Sequence, residues 1–154
     1  MNKVATLVPN NNFQYAATVS SGPYTSAAES AAFLSAGEKF RRDRMEAADM
    51  ISTDEAASLL GVSLVRVNAW VESQRCIGIS IPDGGYRLPR WQFEHQMWPM
   101  LQLVASALGA ADGWQVLAFL EAPALGLDGQ TPRSAIEQGV PAERILAIAA
   151  AESH

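Results

Sequence analysis

The sequence predicts a mainly α-helical protein, in which a winged helix-turn-helix with one β-hairpin is followed by a small C-terminal helical unit. Residues 53–74 carry two helical patterns separated by Gly61, a residue that suits a tight turn with positive φ. Residues 77–89 follow directly, and their alternating apolar residues flank Asp83-Gly84, a dipeptide typical of hairpin turns. Beyond residue 90 the apolar residues recur at helical spacing.

Length and composition are those of a globular protein. The chain has 154 residues, of which 49% are hydrophobic and 18% charged, enough for a real core. No apolar run is close to the length of about twenty residues that a membrane-spanning helix needs. The N-terminus also lacks the apolar segment of a secretory signal. With Cys76 as the only cysteine, no internal disulfide forms. We therefore expect a cytoplasmic protein that does not associate with a membrane.

Changes in composition divide the chain into four regions. Residues 1–23 are rich in Asn, Ser and Gly and predict a flexible arm. Residues 24–50 have high helix propensity and predict an N-terminal helical segment. Residues 51–110 hold the predicted winged helix-turn-helix. Residues 111–154 hold the C-terminal helical unit.

The N-terminal helical segment carries apolar residues at helical spacing. Phe33, Phe40 and Ala47 are separated by seven positions, and Leu34 and Gly37 lie near them. This face can pack against the rest of the chain or against a second copy. The basic residues of the segment alternate with acidic ones, which favours a solvated face over a phosphate contact.

The second helix of residues 53–74 has the pattern of a recognition helix, whose N-terminal part enters the major groove of DNA. Arg suits guanine and Asn suits adenine as base-edge contacts, and arginines on the hairpin are placed to reach phosphates. The candidate DNA-binding residues are Ser63, Val65, Arg66, Asn68, Arg87 and Arg90. An ordinary pair of core helices, with a hairpin that only covers the core, is the alternative interpretation.

Charge is distributed unevenly around a formal net charge of −5. Between Arg66 and Arg90, four arginines face two carboxylates. From Glu94 to the end, two arginines face seven carboxylates. The acidic total argues against indiscriminate phosphate binding, and the opposite signs of the two regions indicate two different partners.

Residues that carry enzyme chemistry do not form a pattern. There is no phosphate-binding Gly-rich loop with a Lys, no metal-ligand spacing and no nucleophile with a base at hand. Cys76 is interpreted as a partly buried small apolar residue and His95 as a structural histidine among aromatics. We expect no catalytic site, no metal and no cofactor.

Capping signals define the helices after the hairpin. Pro99 kinks or restarts the helical run of residues 91–108. Asp112 is a cap for the next helix. Thr131 caps a short helix that has Pro132 at its first position, where the missing N–H costs nothing.

The segment GWQVLAFLEAPALGLDGQTPRSAIEQG resembles the toxin-binding domain shared by the Xre, MbcA and ParS antitoxins. That domain has a Trp-led helix, a Leu-Gly-Gly-x-Thr-Pro turn, a short helix and a Gly. The matching residues are Trp114, Phe119, Leu120, Pro123, Leu125, Gly129, Thr131, Pro132 and Gly139. The turn departs from the family, since Leu-Gly-Gly becomes Leu127-Asp128-Gly129, or Leu125-Gly126 with an insertion. Asp is among the residues that tolerate the left-handed conformation of the missing Gly.

Upstream segments extend the likeness. TDEAASLLGVS and YRLPRWQF resemble the helix-turn-helix and the segment after it in a winged branch of such proteins, so the resemblance covers about residues 51–151. It implies a type II antitoxin that neutralises a cognate toxin, commonly of the NAD-consuming RES class, and that, as is frequent in the family, represses its own operon as a dimer.

The resemblance also implies where the toxin binds, because the C-terminal end of characterised members lies at the toxin active site. Carried onto this chain, the toxin-binding residues are Gly129, Thr131, Pro132, Arg133, Glu152, Ser153 and His154. An acidic C-terminal half suits a basic toxin surface. The expected partners are the cognate toxin, operator DNA and a second copy of the chain. The alternative is a stand-alone regulator of the excisionase or MerR type, whose C-terminal helices only dimerise.

Overall fold

The computed structural model describes residues 26–109 and 112–153. These residues are mainly helical and include one small three-stranded antiparallel sheet. The predicted mainly α class is therefore confirmed. The predicted arm, residues 1–23, lies outside the described residues. The chain divides into two units between Arg44 and Met45, and each is described by itself.

The described part of the first unit is Ser26 and the helix α1 (Ala27–Met45), whose last residue already belongs to the second unit. Its N-terminus is capped reciprocally, because the Glu29 N–H donates to the Ser26 Oγ at 3.1 Å and the Ser26 N–H donates to the Glu29 carboxylate at 2.9 Å. The bonds from Ser26, the backbone N–H first, lower the pKa of Glu29. Lys39 and Asp43 form an ion pair one turn apart at 2.8 Å. No residue of α1 is buried.

The second unit combines the sheet with six further α-helices. Its elements in chain order are β1 (Met50–Ser52), α2 (Thr53–Leu60), α3 (Leu64–Glu72), β2 (Ile79–Ser80), β3 (Tyr86–Pro89), a 3-10 turn (Arg90–Phe93), α4 (Trp98–Leu108), α5 (Gly113–Glu121), a second 3-10 turn (Leu125–Leu127), α6 (Pro132–Glu137) and α7 (Ala142–Glu152). β3 is the central strand, with Ile51 of β1 opposite Leu88 and Ile79 of β2 opposite Arg87.

Local signals place the helix boundaries where the sequence predicts them. Gly61 has φ 68°, the left-handed conformation that ends α2. Ser52 caps α2, and Ser63 caps α3 by accepting the Arg66 N–H at 3.1 Å. Pro99 stands in the first turn of α4, so it starts a new helix.

The sheet differs from the predicted hairpin in two ways. β1 was not predicted, because three residues are too short to show an alternation. β2 begins at Ile79 rather than at Ile77, because a buried side chain takes the hydrogen bonds of Ile77. The Ile77 N–H donates to the Gln92 Oε1 at 2.6 Å, and the Gln92 Nε2 donates to the Ile77 carbonyl at 2.9 Å.

Two groups of buried side chains stabilise the second unit. The smaller one lies between α2, α3 and the sheet and consists of Ile51, Ala56, Val67, Cys76 and Leu88. The larger one begins at Met50 and Ile77, passes through α4 and α5 and reaches Ile145 and Ala149 of α7. Because α4 packs against both α5 and α7, this core is continuous across the predicted boundary at residue 110.

Two glycines allow the segment before β2 to approach the start of α5. A Cβ on Gly113 would lie 2.6 Å from the carbonyl oxygen of Gly78, and a Cβ on Gly78 would lie 2.7 Å from Cγ1 of Val71. Neither contact is possible for a larger residue without a shift of the backbone or of the core.

We expect Gly113→Ala to destabilise the protein although alanine is the better helix former. The added Cβ meets a backbone oxygen that cannot rotate away, and overpacking of this kind costs about 1–3 kcal/mol. Gly126→Ala is the matched control, since its Cβ would meet only the flexible side chain of Ile148, with Cδ1 at 3.1 Å and Cγ1 at 3.3 Å. Urea unfolding measures both variants, and equal stabilities would contradict the close contact.

Candidate nucleic-acid and partner interfaces

The N-terminal part of α3 is exposed to solvent, as the recognition-helix pattern predicts. Val65 is 77% exposed, and Arg66 beside it is exposed too. On the opposite side Val67 is fully buried, and Trp70 packs edge-on against Trp98 with ring centroids 5.1 Å apart. The N-terminal part of α3 thus presents two apolar side chains, Leu64 (43% exposed) and Val65, and the guanidinium of Arg66 to any partner of this face.

Asn68 differs from the outward-facing base reader that the sequence predicts. Its side chain is half-buried, and its Oδ1 is shielded from solvent without a hydrogen-bond partner among the described residues. Adenine recognition uses the amide oxygen and nitrogen together at a base edge. Because the oxygen faces the protein, Asn68 does not offer that pair of contacts in this conformation.

The hairpin brings two arginines close to a carboxylate of α2. Arg87 is half-buried on the central strand and Arg90 is exposed just after it. Hydrogen bonds from Ser52, its backbone N–H first, lower the pKa of Glu55, and the charges of Arg87 and Arg90 lower it further. Glu55 therefore offsets part of the positive field that the two arginines would present to phosphates.

The turn of the hairpin has the geometry that its glycines predict. Gly84 and Gly85 have φ of 92° and 79°, and the Ile81 N–H donates to the Gly85 carbonyl at 3.3 Å. β2 has only two residues, so only two residue pairs, Ile79 with Arg87 and Ser80 with Tyr86, join the strands of the hairpin.

The turn between α5 and α6 is closed by backbone hydrogen bonds. The Ala124 N–H donates to the Gln130 carbonyl and the Gly129 N–H donates to the Ala124 carbonyl, both at 3.0 Å. Asp128 has φ 57° and Gly129 has φ 86°. The expectation that Asp accepts the left-handed conformation at the departure from Leu-Gly-Gly is thus confirmed.

The start of α6 combines one cap with one buried ring. Thr131 accepts the Ser134 N–H on its side-chain oxygen at 3.0 Å. Pro132 is fully buried, so its ring supports the turn from inside and is not a surface that a partner touches. This corrects the expectation that Pro132 itself contacts a toxin.

Arg133 makes contacts within the protein. Its guanidinium carbon lies 4.4 Å from the centre of the Trp91 ring, and its Nε lies 3.1 Å from the Glu137 carboxylate. A stacked, paired arginine is held in place. Its main role in this conformation is to join α6 to the 3-10 turn before α4.

Leu125, which the sequence matches to the antitoxin pattern but does not single out as a toxin-binding residue, is the most exposed large apolar side chain among the described residues. Leu125 is 97% exposed at the tip of the turn. Beside it, the Arg144 side chain donates two hydrogen bonds to the Gly126 carbonyl, at 3.2 and 2.5 Å. Ile148 also lies under Gly126. An apolar residue between two turn signals was the available clue, but exposure depends on the tertiary turn.

The end of α7 belongs to the same surface. Glu152 is exposed and lies one helical turn beyond Ile148, on the side of the helix that faces Gly126. Ser153 is exposed and donates to the Ala150 carbonyl at 2.7 Å. His154 lies outside the described residues. Helical periodicity therefore puts Glu152 on the same face of α7 as Ile148, the residue next to Gly126, and we call Leu125, Gly126 and Glu152 the C-terminal patch.

Groups with reactive chemistry are not gathered at either face. Burial raises the pKa of the Cys76 thiol to about 12, against the opposing charge of Arg75, and Cys76 is buried more fully than the sequence predicts. His95 is exposed, not enclosed by aromatics as the sequence indicated. In residues 26–109 and 112–153, no three His, Cys, Asp or Glu side chains are placed to hold a metal ion.

Hydropathy gives one further result for the described ranges. No single helix there is both long and apolar enough to cross a membrane, and α4 with α5 satisfies the criterion only as a bent pair.

Comparison with protein-family models, with curated proteins and with solved structures found no match for this chain.

We expect residue 128 to report on the left-handed turn. Asp128→Gly removes the steric cost of φ 57° and should leave stability nearly unchanged, whereas Asp128→Val should cost about 1–2 kcal/mol, because a β-branched side chain is strained in this conformation. Thermal unfolding measures both. A valine variant as stable as the glycine variant would contradict the turn geometry.

Proposed function

We propose that this protein is a type II antitoxin, whose C-terminal patch and the turn beside it bind and neutralise a cognate toxin, of the RES class or of another. The observation that supports this most is the turn of residues 124–131, which is closed by its own hydrogen bonds and presents Leu125 almost fully to solvent. A rigid turn with one apolar anchor loses little entropy on binding, which favours affinity.

Charge supports the same assignment. Asp128, Glu137, Glu143 and Glu152 are exposed on the C-terminal helices and turn. The two arginines of this region are engaged within it, Arg133 with Glu137 and Arg144 with the Gly126 carbonyl. The surface therefore suits a partner with a basic rim around an apolar pocket.

Operator binding is the second part of the proposal. β1, α2, α3 and the hairpin have the order of elements of a winged helix-turn-helix, and Val65 and Arg66 are exposed at the N-terminal end of α3. Val65 suits a thymine methyl group and Arg66 suits guanine. With Asn68 half-buried, one copy makes few base contacts, so a homodimer would be needed for useful affinity.

The winged helix-turn-helix order of elements and the exposed N-terminal end of α3 also support the alternative function, a stand-alone transcriptional regulator with a C-terminal dimerisation unit. The two functions differ in what the C-terminal patch does. A stand-alone regulator neutralises no toxin. Substitutions in the patch would then change dimerisation, and there would be no toxin neutralisation for them to abolish.

We expect Leu125→Asp with Glu152→Lys to abolish neutralisation of the toxin that the neighbouring gene encodes. Loss of an apolar anchor and reversal of a charge should weaken binding at least about tenfold. Leu103→Asp, at an exposed leucine on α4, is the control. Cell growth under co-expression and calorimetry of the purified pair measure the effect. A folded double variant that still neutralises the toxin would refute the assignment of the patch.

We expect Arg66→Ala to weaken binding to DNA upstream of the gene by about 1–3 kcal/mol at one base pair and to relax the preference for that base. Arg144→Ala removes the same charge from the C-terminal helices and should leave DNA affinity unchanged. Fluorescence anisotropy over a range of salt concentrations separates base contacts from phosphate contacts. Equal affinities of Arg66→Ala and the unmodified protein would count against operator reading by α3.

A further inference from the structure

The helix α1 exposes large apolar side chains that no described residue of the first unit covers. Phe33 is 72% exposed, Leu34 70% and Phe40 66%, and α1 has no buried residue along its whole length. Helices in proteins owe most of their stability to packing of one face. Two exposed phenylalanines and a leucine on one helix are typical of a protein interaction surface.

These residues form one stripe with a hollow at its centre. Phe33, Gly37 and Phe40 recur at i, i+4 and i+7, so they share a face of the helix, with Leu34 at its edge. Gly37 has no side chain, and the space where a Cβ would stand has no atom within 4 Å. A second helix that crosses at this position can therefore approach closely, and the phenylalanines of each helix can pack beside the other.

The charges of α1 indicate what kind of partner covers the stripe. Residues 27–36 carry one charged side chain, the carboxylate of Glu29, whereas residues 37–45 carry four basic and two acidic side chains. Side by side in the same direction, two copies would place like ends together. In opposite directions, the acidic end of one copy lies against the basic end of the other, and the two helix dipoles are also antiparallel.

We propose that α1 pairs antiparallel with α1 of a second copy of this chain and that the two helices cross at Gly37. Complementary ends and a central hollow in the same helix make a second copy the partner that fits. The pairing would provide the homodimer that operator binding needs, yet it stands on α1 alone and depends on neither the toxin nor the DNA.

Disulfide trapping in the full-length protein tests the direction of the pair. Gly37→Cys should form a covalent dimer on mild oxidation, because the two Cα atoms lie near the crossing point, within the about 7 Å that a disulfide spans. Ser30→Cys alone should not form a covalent dimer. In an antiparallel pair the two copies of residue 30 lie seven residues from the crossing on opposite sides, so they are about 20 Å apart. A mixture of Ser30→Cys and Arg44→Cys chains should form the mixed dimer. Cys76 is buried, so we do not expect it to form a disulfide in this experiment.

The size of the protein in solution tests the pairing itself. Light scattering should give about twice the 16.5 kDa chain mass, and Phe33→Ser with Phe40→Ser should raise the dimer dissociation constant at least about tenfold. Leu103→Ser is the control and should remain dimeric. Thermal unfolding of the second unit, which has its own core, verifies that the double variant is folded. An unmodified monomer, a double variant that stays dimeric, or equal trapping at positions 30 and 37 would overturn the proposal.

Discussion

The buried amide of Gln92 fixes the backbone at Ile77, and the packing of the second unit depends on this segment. Its oxygen accepts the Ile77 N–H and its nitrogen donates to the Ile77 carbonyl, at 2.6 and 2.9 Å, in a site without solvent. An amide satisfied on both sides avoids the cost of burying polar groups, and removal of either side leaves an unpaired backbone group. The next residue, Gly78, meets Gly113 of α5. Ile77 and Gly78 therefore join the two-helix segment with the C-terminal helices.

This joint has a consequence for function. The face of α3 and the C-terminal patch belong to one unit, and its larger core runs from Met50 to Ala149 without a break at residue 110. Removal of the C-terminal helices would expose the partners of α4 within the core, so the loss of one interface by truncation would also disturb the other. Point substitutions at exposed positions are the way to separate toxin binding from DNA binding.

Local chemistry made much of this structure predictable. A side-chain cap, a left-handed glycine or a proline in the first turn acts within four residues, which is why the turn at Gly61 and the cap at Thr131 are predictable from sequence, and why a restart at Pro99 is one of its two predicted outcomes. Contacts across the chain were not predictable. Burial of the Asn68 oxygen and stacking of Arg133 on the Trp91 ring depend on how the elements pack.

Hydrogen–deuterium exchange of the full-length protein, alone and in complex with the product of the neighbouring gene, tests the central claim most directly. We predict slower exchange of the backbone amides at residues 124–131 and at the end of α7 in the complex. Slower exchange confined to α3 and the hairpin, or no change in any segment, would contradict it.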